Sequence, residues 1–343
     1  MVKLQHTYAV GCLIQWYEIE MIEEYLQSLR NALDTLENPK NVKIDLYFNV
    51  DQSLEKVDED KISMADICEK YRTLVFKYLE PAELDMPNYA IYGGTSKFVV
   101  DMNREFTNGE IYTIADYRRD FYNKYCGKVD VLLWGESDCL VPRQSFEILD
   151  NLHSSVNDQT PKYVATFGIC KMWDESWEIL EHPEFTVKPF IDNDYDNWWS
   201  LKYTMNNDEM NEFNDKVTEL DVRTTTNYKF NGCFLIISSD VVKSGINIPN
   251  GMFFVHEDTS FLHVMTKMFG NTIPQYVIKN ILVVHNRNHP KKRMYVKGER
   301  GGTMNEKRRS NDWYTKANKM SEHNAYNLFN QAKTYGWDDV FRE

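Results

Sequence analysis

Apolar and polar positions along this chain follow two rhythms. Residues 7–14, TYAVGCLI, form an unbroken apolar run, the pattern of a strand buried on both faces. Over residues 18–36 the positions Ile19, Ile22, Leu26, Leu29 and Leu33 recur at spacings of three and four, which predicts an amphipathic helix. NPKN closes it, and VKIDLYFNV (42–50) reads as a second strand ending at Asp51. Strand, helix and strand in that order make a β-α-β unit and call for a parallel sheet. Further helices are expected over the charged residues 54–80 and over 112–126 and 142–155, with strands at 129–134 and 162–169. Residues 81–110, with Pro, Gly-Gly and Asn-Gly, read as loops with one short strand. Residues 171–229 lose the periodicity and read as an aromatic-rich, partly irregular insertion. Sheet character returns at 229–242, a turn and helix at 251–270, and a last strand at 276–289. The expected architecture is a Rossmann-like α/β domain over 1–290, a mostly parallel sheet flanked by helices. A basic loop and helical extension follow over 291–343.

Composition narrows the partners. The 343 residues suit one large elaborated domain or two sharing a cleft. Fifty-two acidic against 39 basic side chains give a net charge of −13, which argues against general nucleic-acid binding. The exception is local: residues 287–309 hold nine Lys/Arg against two Glu, either a solvated tail or a phosphate-binding loop. The six cysteines show no CxxC pair and several lie in apolar runs, which favours reduced, buried thiols. No stretch approaches the ~20 apolar residues of a membrane span, and no signal-peptide pattern opens the chain. A cytoplasmic protein is expected.

The candidate chemistry gathers at strand ends. In open parallel sheets ligands bind at the carboxyl ends of the strands, where Asp51, Glu136/Asp138 and His285 are expected. Glu136 and Asp138 are two residues apart, so on an extended segment they face the same way. Together they can hold one divalent cation through oxygen, Mg²⁺ or Mn²⁺, and His285 can add a nitrogen that suits Mn²⁺ better. Glu257 and Asp258, after His256, open an apolar helix and serve either its dipole or as a general base. Arg118 and Arg119 are placed to pair with phosphate oxygens or to form helix-surface salt bridges. Trp16 is free to stack on a nucleobase or to enter the core.

The order of these motifs resembles the GT-A class of nucleotide-sugar glycosyltransferases, nearest to the inverting family 2. The likeness runs over residues 7–290, with VDQS after the second strand, an acid-x-acid after an apolar strand, NGCFLIISSDVV, HED at a helix start and a late histidine. It implies transfer of a sugar from a nucleoside diphosphate donor, expected to carry uridine, to an acceptor hydroxyl. Asp51 then contacts the nucleoside, and Asp138, with Glu136 and His285, holds the metal. Arg287, Lys291, Lys292 and Arg293 close over the diphosphate, Gly232 lies near the acceptor, and Asp258 beside Glu257 is the base. Trp173, Trp177, Trp198 and Trp199 are candidates for a sugar-stacking platform. Glu-Ser-Asp departs from the usual Asp-x-Asp, and VDQS lacks that family's second acid and glycine. Glycans are the first acceptor choice and modified bases of viral DNA the second. A nucleotidyltransferase and a non-catalytic glycan-binding protein are the rival readings.

Overall fold

The structure is a computed structural model and describes residues 1–15, 18–49, 64–79, 113–169, 171–173, 179–181, 205–229, 232–252, 256–285, 319–325 and 327. The loops expected at 81–110 and the basic stretch after 285 lie outside these residues.

The helices in chain order are α1 (Ile22–Leu33), α2 (Met64–Tyr78), α3 (Ile114–Tyr125), α4 (Ser145–Val156), α5 (Asn207–Asn214), α6 (Ser239–Lys243) and α7 (Glu257–Phe269). The strands are β1 (Tyr8–Gln15), β2 (Val42–Asn49), β3 (Val131–Glu136), β4 (Cys139–Leu140), β5 (Val164–Ile169), β6 (Lys171–Trp173), β7 (Ile179–Glu181), β8 (Val222–Thr225), β9 (Ile236–Ser238) and β10 (Gln275–His285). Among the described residues eight strands make one sheet in the order β2-β1-β3-β9-β5-β10-β4, with β8 also paired to β10, while β6 and β7 form a separate ribbon. The sheet is mixed. β2, β1 and β3 pair in parallel, as do β5 and β10, while β9 runs antiparallel between β3 and β5. β4 and β8 are antiparallel to β10. β2, β1, β3, β5 and β10 therefore all point one way and finish at one edge.

Helices cover both faces, so β1 is buried from Tyr8 to Ile14. Its Val10, Cys12 and Ile14 face Leu26, Leu29 and Leu33 of α1, with Ile67 and Tyr71 of α2 in the same core. Its Ala9 and Leu13 face the other core, filled by Phe121 and Tyr122 of α3, Val241 of α6 and Phe261 of α7. A third, small core joins Leu140 of β4, Met210 of α5, and Leu282 and Val284 of β10. Among the described residues no helix is long and apolar enough to cross a membrane.

Two stretches depart from the hydrophobic pattern. The run 229–242 reads as sheet in character, yet β9 spans three residues and the chain turns into α6 at Ser239. Its apolar rhythm reads straight through Ser238, Ser239 and Asp240, residue types that favour helix starts. Within the insertion read as partly irregular, 205–229 holds α5 and β8. α5 buries asparagines, so hydrophobic periodicity is silent there.

α3 carries Arg118, and its seat is tightly specified. A Thr113–Asp116 capping box starts it. The buried Asp45 of β2 accepts from Lys124 Nζ at 2.6 Å and Tyr125 Oη at 2.9 Å. Gly11 of β1 lets the Phe121 ring approach, because a Cβ there would lie 2.6 Å from the ring. Gly11→Ala is expected to cost about 1–3 kcal/mol through overpacking. In urea unfolding the midpoint should fall with the slope unchanged; an unchanged midpoint would mean that α3 is not seated on β1 in this way.

Candidate functional site

β3 and β10 deliver a carboxylate and an imidazole to the same sheet edge. β3 ends in Glu136, Ser137 and Asp138 form a turn, and β4 returns antiparallel to the end of β10. In that pairing Cys139 stands opposite His285, which brings Asp138 beside the ring. His285 Nε2 lies 3.3 Å from Glu136 Oε2 and 3.5 Å from Asp138 Oδ2. One ligand atom from each residue lies within 4.8 Å of the others. The sequence reading put both acids on one side of an extended strand; the structure sets them across a turn, and the β4–β10 pairing brings them together.

The donor set can take a cation. Nε2 of His285 is buried without a well-aligned hydrogen bond. Two carboxylate oxygens and one imidazole nitrogen converge there, a combination suited to a divalent metal ion. Burial lowers the His285 pKa, but Cys233 and Asp138 raise it and prevail, so the ring carries a proton in their company. Burial raises Glu136, while the nearby His285 ring and the charge of Arg118 lower it and prevail, so it stays a carboxylate. Cys139 and Cys233 are buried free thiols beside this group. The Cys139 thiol lowers Cys233 to about 7, against burial and with help from His285.

Arg118 links this triad to the start of α7. Its side chain is 1% exposed and its guanidinium lies 4.2 Å from the centre of the Trp134 ring. Nη2 donates to Glu136 Oε1 at 3.0 Å and to the Gly232 carbonyl at 2.6 Å. Nη1 donates to Glu257 Oε1 at 2.6 Å. Arg119 donates to Asp116, to the carbonyls of Ile248 and Pro249, and at 3.4 Å to that of Met252. Both arginines were expected at phosphate or in helix-surface salt bridges. Arg118 is instead a buried strut, while Arg119 makes the helix salt bridge, with Asp116, and also fastens α3 to the loop at 248–252.

Glu257 and Asp258 occupy the first turn of α7, after His256 in a left-handed backbone conformation with φ of 64°. Burial pushes Glu257 up to about 8, opposed by Arg118 and reinforced by Asp258. Gly232 sits against Asp258, where a Cβ would lie 3.0 Å from Asp258 Oδ2. The bare Cα therefore leaves room for that carboxylate.

The structure thus brings together Glu136, Asp138, His285, Arg118, Gly232, Glu257 and Asp258. Trp173 closes β6, opposite Ile179 of β7. Trp16, Asp51, Trp177, Trp198, Trp199, Arg287, Lys291, Lys292 and Arg293 lie outside the described residues. Sequence reasoning missed Trp134, Cys139 and Cys233 as walls of the site. Only Trp134, the last large apolar residue before Glu136, carried a readable signal. Neither a family model nor a curated protein matches the chain.

The proton on Glu257 gives a pH test. The folded state keeps it up to about 8, whereas an ordinary glutamate releases it near 4.5. This group therefore contributes stability that is lost as pH rises from 4.5 toward 8. Glu257→Gln keeps an acceptor for Arg118 and removes the titration. Melting of both proteins between pH 5 and 9 should show the wild type losing stability relative to the variant up to about pH 8, then running parallel. A constant difference across that range would contradict the shift.

Proposed function

We propose that the protein is a glycosyltransferase on a GT-A-type sheet, moving a sugar from a nucleoside diphosphate donor, taken as uridine-based, to an acceptor hydroxyl. The observation that carries this reading is the Glu136–Asp138–His285 triad joined by Arg118 to the Glu257–Asp258 pair at one sheet edge. A diphosphate leaving group needs countercharge, and a hydroxyl nucleophile needs a base. Both kinds of group stand side by side here.

Asp138, Glu136 and His285 would hold Mn²⁺ or Mg²⁺, which supplies positive charge to the departing diphosphate. Of the acidic pair Asp258 is taken as the base, on its position. Glu257 is tied to Arg118 and holds its proton to about pH 8, whereas Asp258 packs on Gly232 beside the site. In the inverting form of the reaction the acceptor oxygen bonds to the anomeric carbon and its proton passes to Asp258. The carbon–oxygen bond to the diphosphate breaks, and the nucleoside diphosphate leaves with that electron pair. Gly232 keeps the acceptor side open.

Thermal melting with nucleoside diphosphates and nucleotide sugars, each with Mn²⁺, Mg²⁺ or a chelator, tests the reading. A ligand that binds only the native state raises the melting temperature by mass action, so one nucleotide should give a metal-dependent rise that Asp138→Ala abolishes. Asp258→Asn should lower turnover by about 10²–10⁴-fold with donor binding kept. Release of pyrophosphate instead of nucleoside diphosphate would replace the reading with a nucleotidyltransferase. A folded protein that answers no donor with any metal would remove the donor site altogether.

A further inference from the structure

α5 carries three buried asparagines at positions 207, 211 and 214, a spacing that sets them on one helical face. They are 3%, 5% and 1% exposed. Each bonds to the backbone of a different element. Asn207 Nδ2 donates to the Glu24 carbonyl of α1 at 2.7 Å. Asn211 Oδ1 accepts from Arg143 N, just after β4, at 3.1 Å. Asn214 takes both polar groups of Leu282 in β10: Leu282 N donates to Oδ1 at 2.7 Å and Nδ2 donates to Leu282 O at 2.9 Å.

The last contact falls where β10 is irregular. Against β5 the register jumps from Ile278 opposite Phe167 to Leu282 opposite Gly168, leaving 279–281 without partners on β5. The extra residues press on Gly168, where a Cβ would lie 2.4 Å from the Lys279 carbonyl. Asn280 is held by the 219–221 backbone, accepting from Asp221 N at 2.9 Å and donating to Glu219 O at 2.6 Å. Beyond the bulge β10 must resume in one register, because a slip by one residue turns every side chain to the opposite face. An amide that takes the N–H and C=O of a single residue selects Leu282 and no neighbour. Three residues later His285 stands opposite Cys139, with Asp138 beside it.

We propose that Asn214 is a positioning residue of the cation site: it sets the register of β10 past the bulge and so places His285 against Asp138 and Glu136. Asn211 does the matching work on the other strand by holding the segment after β4. The proposal rests on the reading of Glu136, Asp138 and His285 as a cation site. It assigns to α5 a role that the asparagine spacing in NDEMNEFN alone does not reveal.

The test is Mn²⁺ affinity, read from the free-Mn²⁺ electron paramagnetic resonance signal, in wild type, Asn214→Asp, His285→Ala and the variant carrying both. Asn214→Asp keeps the size and the acceptor but loses the donor to Leu282 O. It should weaken Mn²⁺ binding about 10-fold or more, as loss of a group that orients a ligand does. If it acts through His285, the double variant binds no more weakly than His285→Ala alone. Circular dichroism and melting confirm that each variant is folded, and Asn214→Ser takes the place of Asn214→Asp if that protein does not fold. Unchanged affinity in a folded Asn214 variant, or losses that add in the double variant, would overturn the positioning role and leave the cation site standing. Wild-type binding that is absent, or indifferent to His285→Ala, would sink the cation site and this proposal with it.

Discussion

A charged guanidinium buried at the edge of the sheet organises everything around it. Taking such a group out of water costs several kcal/mol unless close partners compensate. Arg118 meets that cost with the carboxylate of Glu136, a carboxyl oxygen of Glu257, the carbonyl of Gly232 and the face of Trp134. Those partners come from β3, from the start of α7 and from the segment before β9, so one side chain fixes the relative placement of three elements. Its own helix is held by the Asp45 contacts and by the fit of Phe121 on Gly11. Removing Arg118 would strand two buried acids. Replacing it by Lys would keep the charge but lose the fork that reaches both.

The two glutamates on Arg118 are not equivalent, and the difference divides the site into two halves. Glu136 gives Oε1 to Arg118 and turns Oε2 toward His285. Arginine and histidine together keep it ionised despite burial. Glu257 has Arg118 but also Asp258 as its neighbour, so burial and repulsion prevail and it retains a proton to about pH 8. One half thus gathers two acids around a protonated imidazole, whose nitrogen must release that proton before it ligates a cation. In the other a neutral acid, Glu257, stands next to Asp258. A single arginine shared between two such halves keeps them at a fixed separation without neutralising either completely.

Long periodic segments were legible in the sequence, because burial on a helix or strand repeats at the period of the backbone. α1, α3, α4, β1, β2 and β3 all lie within a few residues of their expected places. The site was legible as a set of residue types at strand ends and a helix start, and Glu136, Asp138, His285, Glu257 and Asp258 do converge. What failed was any feature that depends on a partner distant in sequence. Arg118 reads as a surface arginine on a polar helix until Glu136, Glu257 and Trp134 close around it. The turn at Ser137–Asp138 and the bulge at 279–281 are invisible to hydrophobic pattern, since both are set by what the neighbouring strand offers. The same holds for Asn207, Asn211 and Asn214, whose polarity suggested an irregular segment because their partners are backbone groups elsewhere.

These distant constraints share one physical logic. A metal-type donor set assembled from two strand ends is only as well defined as the register of those strands, and short pairings specify register weakly. β4 has two residues and pairs with only the last two of β10, which by itself is a marginal ladder. The missing definition comes from side-chain amides on the backbone and from the small core of Leu140, Met210, Leu282 and Val284. Buried amides are suited to this task because their desolvation is compensated only when the geometry is right. Apolar packing would hold β4 and β10 together in several registers; Asn214, which takes the N–H and C=O of Leu282, and Asn211, which takes the N–H of Arg143, hold them in one. The triad at the sheet edge therefore depends on polar groups that lie well away from it in sequence, and Arg118 supplies the same kind of constraint through Glu136.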